Sequence, residues 1–536
     1  MTLRHPLVRE AALSAAAAAA VAAILAWLGP PGTDFAAHAY QRTLFLEHGF
    51  TLWNNFWYSG RYSFITYSLL YYPLAAIFGI RLLAVATIAL AALAFAVVLW
   101  REWGPTTRWS SRSFAIVWAG IVLSAAFPFA LGFALALLAL WALQAGARWR
   151  FAALAALTLG ASPLAFVLLV VVLGGVALSR RASLRKNWVP FAAVAATALF
   201  EVVLWRLFPD GGRFPFHPLD AIAGIGLCVS ILALTWRVER ARVLRFVFGV
   251  YLVAVIAAWV VPSEMGGNIE RLRFVAIPLA VLVLSLRRWR PIALGVVVLA
   301  CAIAWNVSPL VLSYVNNSRD VTADAGVWPA AIAYLRAHLA PSYRVEAVDT
   351  ATHFPAVYLA DAGIPLARGW FRQDDFPQNE VLYGRLGRTA YLRWLRGLGV
   401  RYVVLAKAPP DYSSRAEAAL VGSGRAGLMP VFETASLTLY AVPRPRGIVT
   451  GPGSPTVTSL TASRVTVAVH RAGTYRIAVR WSPYWKASGG ACLSDRKDGM
   501  TQLRTGGPET VRLVFDVNVG RALDTLAGEQ PACRLG

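Results

Sequence analysis

"GTDFAAHAYQRTLFLEHGFTLWNNFWYSGRYSF" (32–64) separates two strongly apolar segments of the chain. It is dense in acid, histidine, arginine and aromatic side chains, and the side of a membrane on which it lies decides how the rest of the molecule is read. Working outward, the 536 residues are 58% hydrophobic. Repeated apolar runs with charged breaks identify a polytopic membrane protein. The apolar character stops near Tyr314, and the remainder mixes prolines, charges and short alternating runs.

The net charge of +24 does not indicate nucleic-acid binding. Only four lysines occur (Lys186, Lys407, Lys486, Lys497), and many arginines cluster at the ends of apolar segments, where topology requires them. No basic helix with interleaved aromatics is free to meet a nucleic acid, so none is expected as a partner. Cys228 and Cys301 lie in apolar runs as small hydrophobes. Cys492 and Cys533 fall in the C-terminal region, where a disulfide is expected if that region is extracytoplasmic. Cys and His show no metal-binding spacing, and no cofactor is expected.

The short basic N-terminus places the first segment, from about Ala11 to Leu28, as an uncleaved anchor running outward from the cytoplasm. The stretch 32–64 then lies outside. Basic breaks at 101–112, 148–150, 180–187, 237–245 and 287–290 fall inside. Phe127–Pro128, 161–163, 209–220 and 262–271 fall outside. This alternation gives about 11 transmembrane crossings in a plasma-membrane protein whose C-terminal region is extracytoplasmic. The segments near 114–127 and 151–160 are short for a full span. "FITYSLLYYPLAAIFG" (64–79), aromatic and broken by Pro73, reads as an interfacial helix, with the true crossing opening at Arg81.

The expected architecture is a mainly α membrane domain (1–313), an α/β domain (314–445) and a β-sandwich module (446–536). "WPAAIAYLRAHLAPSYRV" (328–345) carries a helical apolar period, and "YLRWLRGLGVRYVVLAKAP" (391–409) reads as helix, glycine turn and buried strand. "RVTVAVH", "TYRIAVRWSP" and "ETVRLVFDVN" alternate as strands. Trp481, Tyr484 and Trp485 are available either to stack on sugar rings or to fill a core.

A helix over 34–42 would align Asp34, His38 and Arg42 on one face, with Trp53, Trp57, Tyr58, Arg61 and Tyr62 following. A carboxylate base beside flat aromatic faces suits sugar chemistry. Asp34 is equally well placed to cap that helix. On a second outer loop, "SEMGGNIERLRF" (263–274), Asn268, Glu270, Arg271 and Arg273 stand after a Gly-Gly turn. Free backbone N–H groups and arginines there would suit a lipid-linked phosphate, or simply anchor the loop at the interface. "PDGGRFPFHPLD" (209–220) adds Asp210, Arg213, His217 and Asp220.

Together "GTDFAAHAYQR" (32–42), "WNNFWYSGRYSF" (53–64), "YSLLYYPLAAIFG" (67–79), "FPFALGFALALLALWAL" (127–143) and "GASPLAFVLL" (160–169) resemble the GT-C superfamily of polytopic glycosyltransferases, in particular poorly characterised actinobacterial members. The resemblance covers roughly residues 10–313, and the C-terminal part only in style ("LRGLGVRYVVL"). It implies that Asp34 is the catalytic base, that the donor is a polyprenyl-phosphate-linked sugar, and that transfer to a cell-envelope glycan or glycolipid proceeds with inversion. It further implies that Arg271 and Arg273 steady the leaving phosphate. The first loop lacks the paired acids of many members, which speaks against a metal-dependent version. A transporter or flippase of lipid-linked sugars is the main rival, but no paired halves or mid-membrane polar breaks are visible. A non-catalytic envelope assembly factor is the third reading.

Overall fold

The computed structural model describes residues 5–183, 185–209 and 212–528. The chain forms two compact units: Met1–Phe35, Tyr67–Val202 and Arg213–Val315 in one, Ala36–Thr66, Val203–Gly212 and Asn316–Gly536 in the other.

The first unit is helical. Among the described residues, eight helical stretches in the chain are long and apolar enough to cross a membrane, so the protein is a multi-pass membrane protein. One stretch, Ile80–Ser124, folds back on itself: Ile80–Trp103 and Arg108–Ala119 meet where Phe95 and Phe114 stack with centroids 4.0 Å apart. Arg148–Ala161 and Ala276–Leu286 are shorter helices. The described residues thus give eight candidate spans against the roughly 11 crossings expected, the difference lying in this fold-back and in short helices such as these two. The first helix, Pro6–Leu28, buries Ala18 and Ala22 in the core that also holds Ala91, Ala92 and Ala119. Small side chains let helix backbones approach closely, where lipid gives no hydrophobic drive for association. Arg112 clamps Glu10 of the first helix with two hydrogen bonds of 2.8 and 3.0 Å. Tyr71–Phe78 is a separate short helix before the span that begins at Ile80, covering only the second half of the helix expected over 64–79.

The second unit contains an α/β sheet and two further sheets. In the first, the strands run in the order Arg344–Ala347, Val400–Ala406, Leu437–Ala441, Met429–Glu433, with only the first pair parallel. Helix Arg388–Gly397 feeds the central strand across Gly399, matching the expected helix–turn–strand. The other two sheets face each other as a sandwich. Val465, Val467, Tyr475, Ile477, Val479, Val511 and Leu513 fill its core, every second residue pointing inward. Tyr484 and Trp485 belong to this core, which overturns their availability for stacking on sugars. Cys492 is disulfide-bonded; Cys533, its expected partner, lies outside the described residues, as does Asp210.

The segment Ala36–Thr66 is part of this second unit rather than a solvent-facing membrane loop. After helix Phe35–His48, Trp53–Asn54 and Arg61–Tyr62 pair antiparallel as a small hairpin. Tyr58 and Ser59 at its tip adopt positive φ, 56° and 58°. The hairpin is tied in on several sides: Asn55 N–H donates to the Ala462 carbonyl at 2.8 Å, and Arg480 N–H donates to that of Ser59 at 2.9 Å.

Candidate functional site

In the first unit, residues 32–34 run along the end of the short helix Ile121–Ser124. Thr33 N–H donates to the Leu123 carbonyl at 3.1 Å, and Asp34 N–H to that of Ser124 at 2.9 Å. This approach depends on Gly32, where a Cβ atom would sit 2.2 Å from the Val122 carbonyl oxygen and 2.8 Å from Ala125 Cβ. Asp34 is thereby fixed just ahead of helix Phe35–His48, in a capping position rather than inside the helix.

Its carboxylate stands 3.8 Å from the Arg271 guanidinium, with the two side chains 20% and 21% exposed. Arg271 also lies over the Phe129 ring, 5.5 Å from its centroid. The loop Gly266–Val275 carries Arg271 and lies outside the candidate spans. It is pinned by Tyr251, whose hydroxyl donates to the Ile269 carbonyl at 2.9 Å, and by Asn306, which donates to that of Arg273 at 2.6 Å. Burial lowers the Arg273 guanidinium below its ordinary value; Glu270, Asp220 and Asp34 act against this, and Arg271 adds to it. Glu270 is buried, and its Oε1 has no hydrogen-bond partner among the described residues. Desolvation, helped by the charge of Asp220 and opposed by Arg273, pushes its carboxyl up to about 8. Three carboxyl groups and two guanidinium groups therefore share one electrostatic neighbourhood, in which Asp34 and Arg271 are partly open to solvent.

The structure thus brings Asp34, Glu270, Arg271 and Arg273 into one unit, and adds Asp220 from the first turn of helix Pro218–Thr235. Asn268 serves its own loop, its amide reaching the Glu264 carbonyl at 3.5 Å. The reading of Gly266 and Gly267 as an open phosphate cradle is corrected: a Cβ on Gly266 would lie 1.8 Å from the Phe214 carbonyl oxygen, so backbone already fills that space. His217 caps helix Pro218–Thr235 through its ring nitrogen.

The remaining expected residues belong to the second unit, where most are buried. His38 is buried in helix Phe35–His48, and Arg42 is half-buried. Trp53, Trp57, Tyr58 and Arg61 are buried and so present no faces to a sugar. Trp53 stacks on Phe515 at 5.0 Å. Trp57 stacks on Tyr40 at 4.4 Å and donates to the Ala356 carbonyl at 2.9 Å. The Tyr58 hydroxyl donates to the Gly369 carbonyl and accepts from Phe371 N–H. Arg61 pairs with buried Asp374 at 2.5 Å and lies over the Phe371 ring. Trp53 thereby fastens the hairpin to the sandwich, and Trp57, Tyr58 and Arg61 fasten it to the α/β region.

The same unit also holds a buried ionic network absent from the sequence analysis. Arg368 holds Asp375 with two bonds of 3.1 Å, Arg372 joins Asp349, Asp375 and Asp411, and His353 meets Asp349 at 2.8 Å. Most of these residues follow Arg344–Ala347, the bridge at Leu366 or Val400–Ala406, at the carboxyl side of parallel pairings. Burial pushes the Asp349 carboxyl up, but His353 and Arg372 override it and hold the group well below the usual carboxylate range. A marker for this cluster was the run of acids and arginines at 368–375, though nothing local showed that it turns inward.

No protein-family model matches the chain, and no curated protein matches it. Among solved structures it is similar to a cryo-EM structure of the arabinofuranosyltransferase AftD from Mycobacteria, at 18% identity and a TM-score of 0.48, over 81% of this chain and 40% of that one. Two classes of a mutant of the same protein match at 17% identity, with TM-scores of 0.47 and 0.45; they cover 82% and 86% of this chain and 42% and 43% of theirs. The chain spans about two fifths of the length of the structures it matches.

Proposed function

We propose that the protein is an integral membrane glycosyltransferase, hexosyl or pentosyl, that takes a sugar from a polyprenyl-phosphate donor and passes it with inversion to a cell-envelope glycan or glycolipid at the extracytoplasmic face. The observation that carries the reading is the Asp34 carboxylate standing 3.8 Å from Arg271, both partly exposed. The carboxylate takes the proton of an acceptor hydroxyl as the new C–O bond forms at the anomeric carbon. The bond from that carbon to the phosphate oxygen breaks on the opposite side, and the departing phosphate meets Arg271 and Arg273. A charged donor at this point suits an arginine held in place by the Phe129 ring and by the pinned Gly266–Val275 loop. The resemblance of residues 32–79 to GT-C glycosyltransferases supports the same assignment.

The test is incubation of the purified protein with radiolabelled polyprenyl-phosphate sugars and envelope acceptors. Label appearing in acceptor supports transfer. Label that remains on its lipid with every donor, or that crosses a bilayer still attached to it, contradicts it.

A further inference from the structure

Helix Val519–Ala527 is amphipathic in the reverse sense for a water-facing surface. Its apolar face, Val519, Leu523 and Leu526, is 77%, 60% and 38% exposed. Its polar face turns to the protein, where the Arg521 guanidinium donates to the carbonyls of Tyr484 and Trp485, each at 3.1 Å. A helix in water normally does the opposite. The orientation is fixed, because Asn518 caps the helix and Arg521 anchors it.

What lies beside it identifies the cover. Tyr484, the residue Arg521 holds, donates its hydroxyl to the Leu207 carbonyl at 3.0 Å, and Leu207 is the last residue of the candidate span Trp188–Leu207. At the other end of the helix, a Cβ atom on Gly528 would come within 3.7 Å of the guanidinium of Arg206, in the last turn of that span. Residues 203–212 and 519–528 belong to the same compact unit, so the Tyr484–Leu207 tie and this proximity are internal to it. The helix is therefore held at the level where a membrane span ends. Trp205, exposed in the same turn, is of the residue type enriched at that level, and Arg206 and Arg521 supply cations for lipid phosphates.

We propose that Val519–Ala527 lies in the interfacial layer of the bilayer, with Val519, Leu523 and Leu526 immersed among the lipids. It forms a lipid-binding surface separate from the transmembrane helices and tethers the sandwich to the membrane it emerges from. This inference is independent of the proposed transfer chemistry.

The test uses the full chain in nanodiscs of zwitterionic and anionic phospholipid, in a Cys301→Ala background that removes the exposed free thiol. A polarity-sensitive fluorophore is placed at Leu523→Cys or Leu526→Cys, and at Met429→Cys as an exposed reference in the α/β sheet. The labels at 523 and 526 are expected to emit to the blue of the label at 429, to be quenched several-fold by nitroxide lipids, and to be shielded from aqueous iodide. Iodide quenching at 523 and 526 equal to that at 429 would overturn the proposal. So would shielding that appears only with two copies per disc and vanishes with one, since a second copy would then be the cover.

Discussion

Glu270 and Asp34 share a neighbourhood but differ in what surrounds them. Asp34 meets Arg271 at 3.8 Å and is partly exposed, whereas Glu270 is buried with an oxygen that no described residue satisfies. Desolvation first, and the Asp220 charge second, push the Glu270 carboxyl to about 8. The folded state therefore keeps a proton that the unfolded chain releases near its ordinary value of about 4.3. Stability from this group is complete below that value and is lost as the pH rises through about 8. Glu270→Gln, which cannot ionise, is expected to melt ever higher relative to the parent between pH 5 and 9, by a few degrees at the alkaline end. A melting difference that stays constant across this range would show that the carboxyl is already ionised at neutral pH. Asp34 and Arg271 were each picked out in the sequence, the acid because it follows the first span; their pairing was not, because it joins distant parts of the chain.

At the level of elements, the hairpin from Trp53 to Tyr62 is held by buried groups, and the Arg61–Asp374 pair is the most exacting of them. Removing one partner of a buried pair leaves an uncompensated charge and costs about 3–5 kcal/mol, whereas removing both costs less. Thermal unfolding should accordingly place Arg61→Leu well below the double variant Arg61→Leu with Asp374→Leu. Equal losses in the two would mean that the pair does not restrain the hairpin. The strands 464–469, 473–480 and 509–515 could be read directly because their alternation has a period of 2, and helix 388–397 because Gly399 ends it. The aromatic hairpin could not be read in this way. Local pattern records that Trp53, Trp57 and Tyr58 are costly to leave in water, but not which core receives them. A substrate cleft and a domain core make the same demand on composition, and the core won.

At the scale of the whole molecule, we propose from the pattern of basic breaks that the C-terminal unit lies on the extracytoplasmic side. A thiol at Met429→Cys should react with a membrane-impermeant maleimide in intact cells. Reaction only after lysis would invert the topology and place Asp34 away from any extracytoplasmic acceptor. The two units divide the labour on this account: one presents the carboxylate and arginines beside its membrane helices, and the other holds a sandwich and an α/β sheet stapled by a segment from the first loop.

The most direct measurement is the rate of sugar transfer from radiolabelled polyprenyl-phosphate donor by Asp34→Asn, with its melting temperature recorded alongside. The amide keeps the shape of the side chain and its place ahead of the helix but cannot take a proton. The account predicts an unchanged melting temperature and a rate lower by about 10²–10⁴-fold, the contribution of a positioned general base. Full-rate transfer by the variant would contradict it.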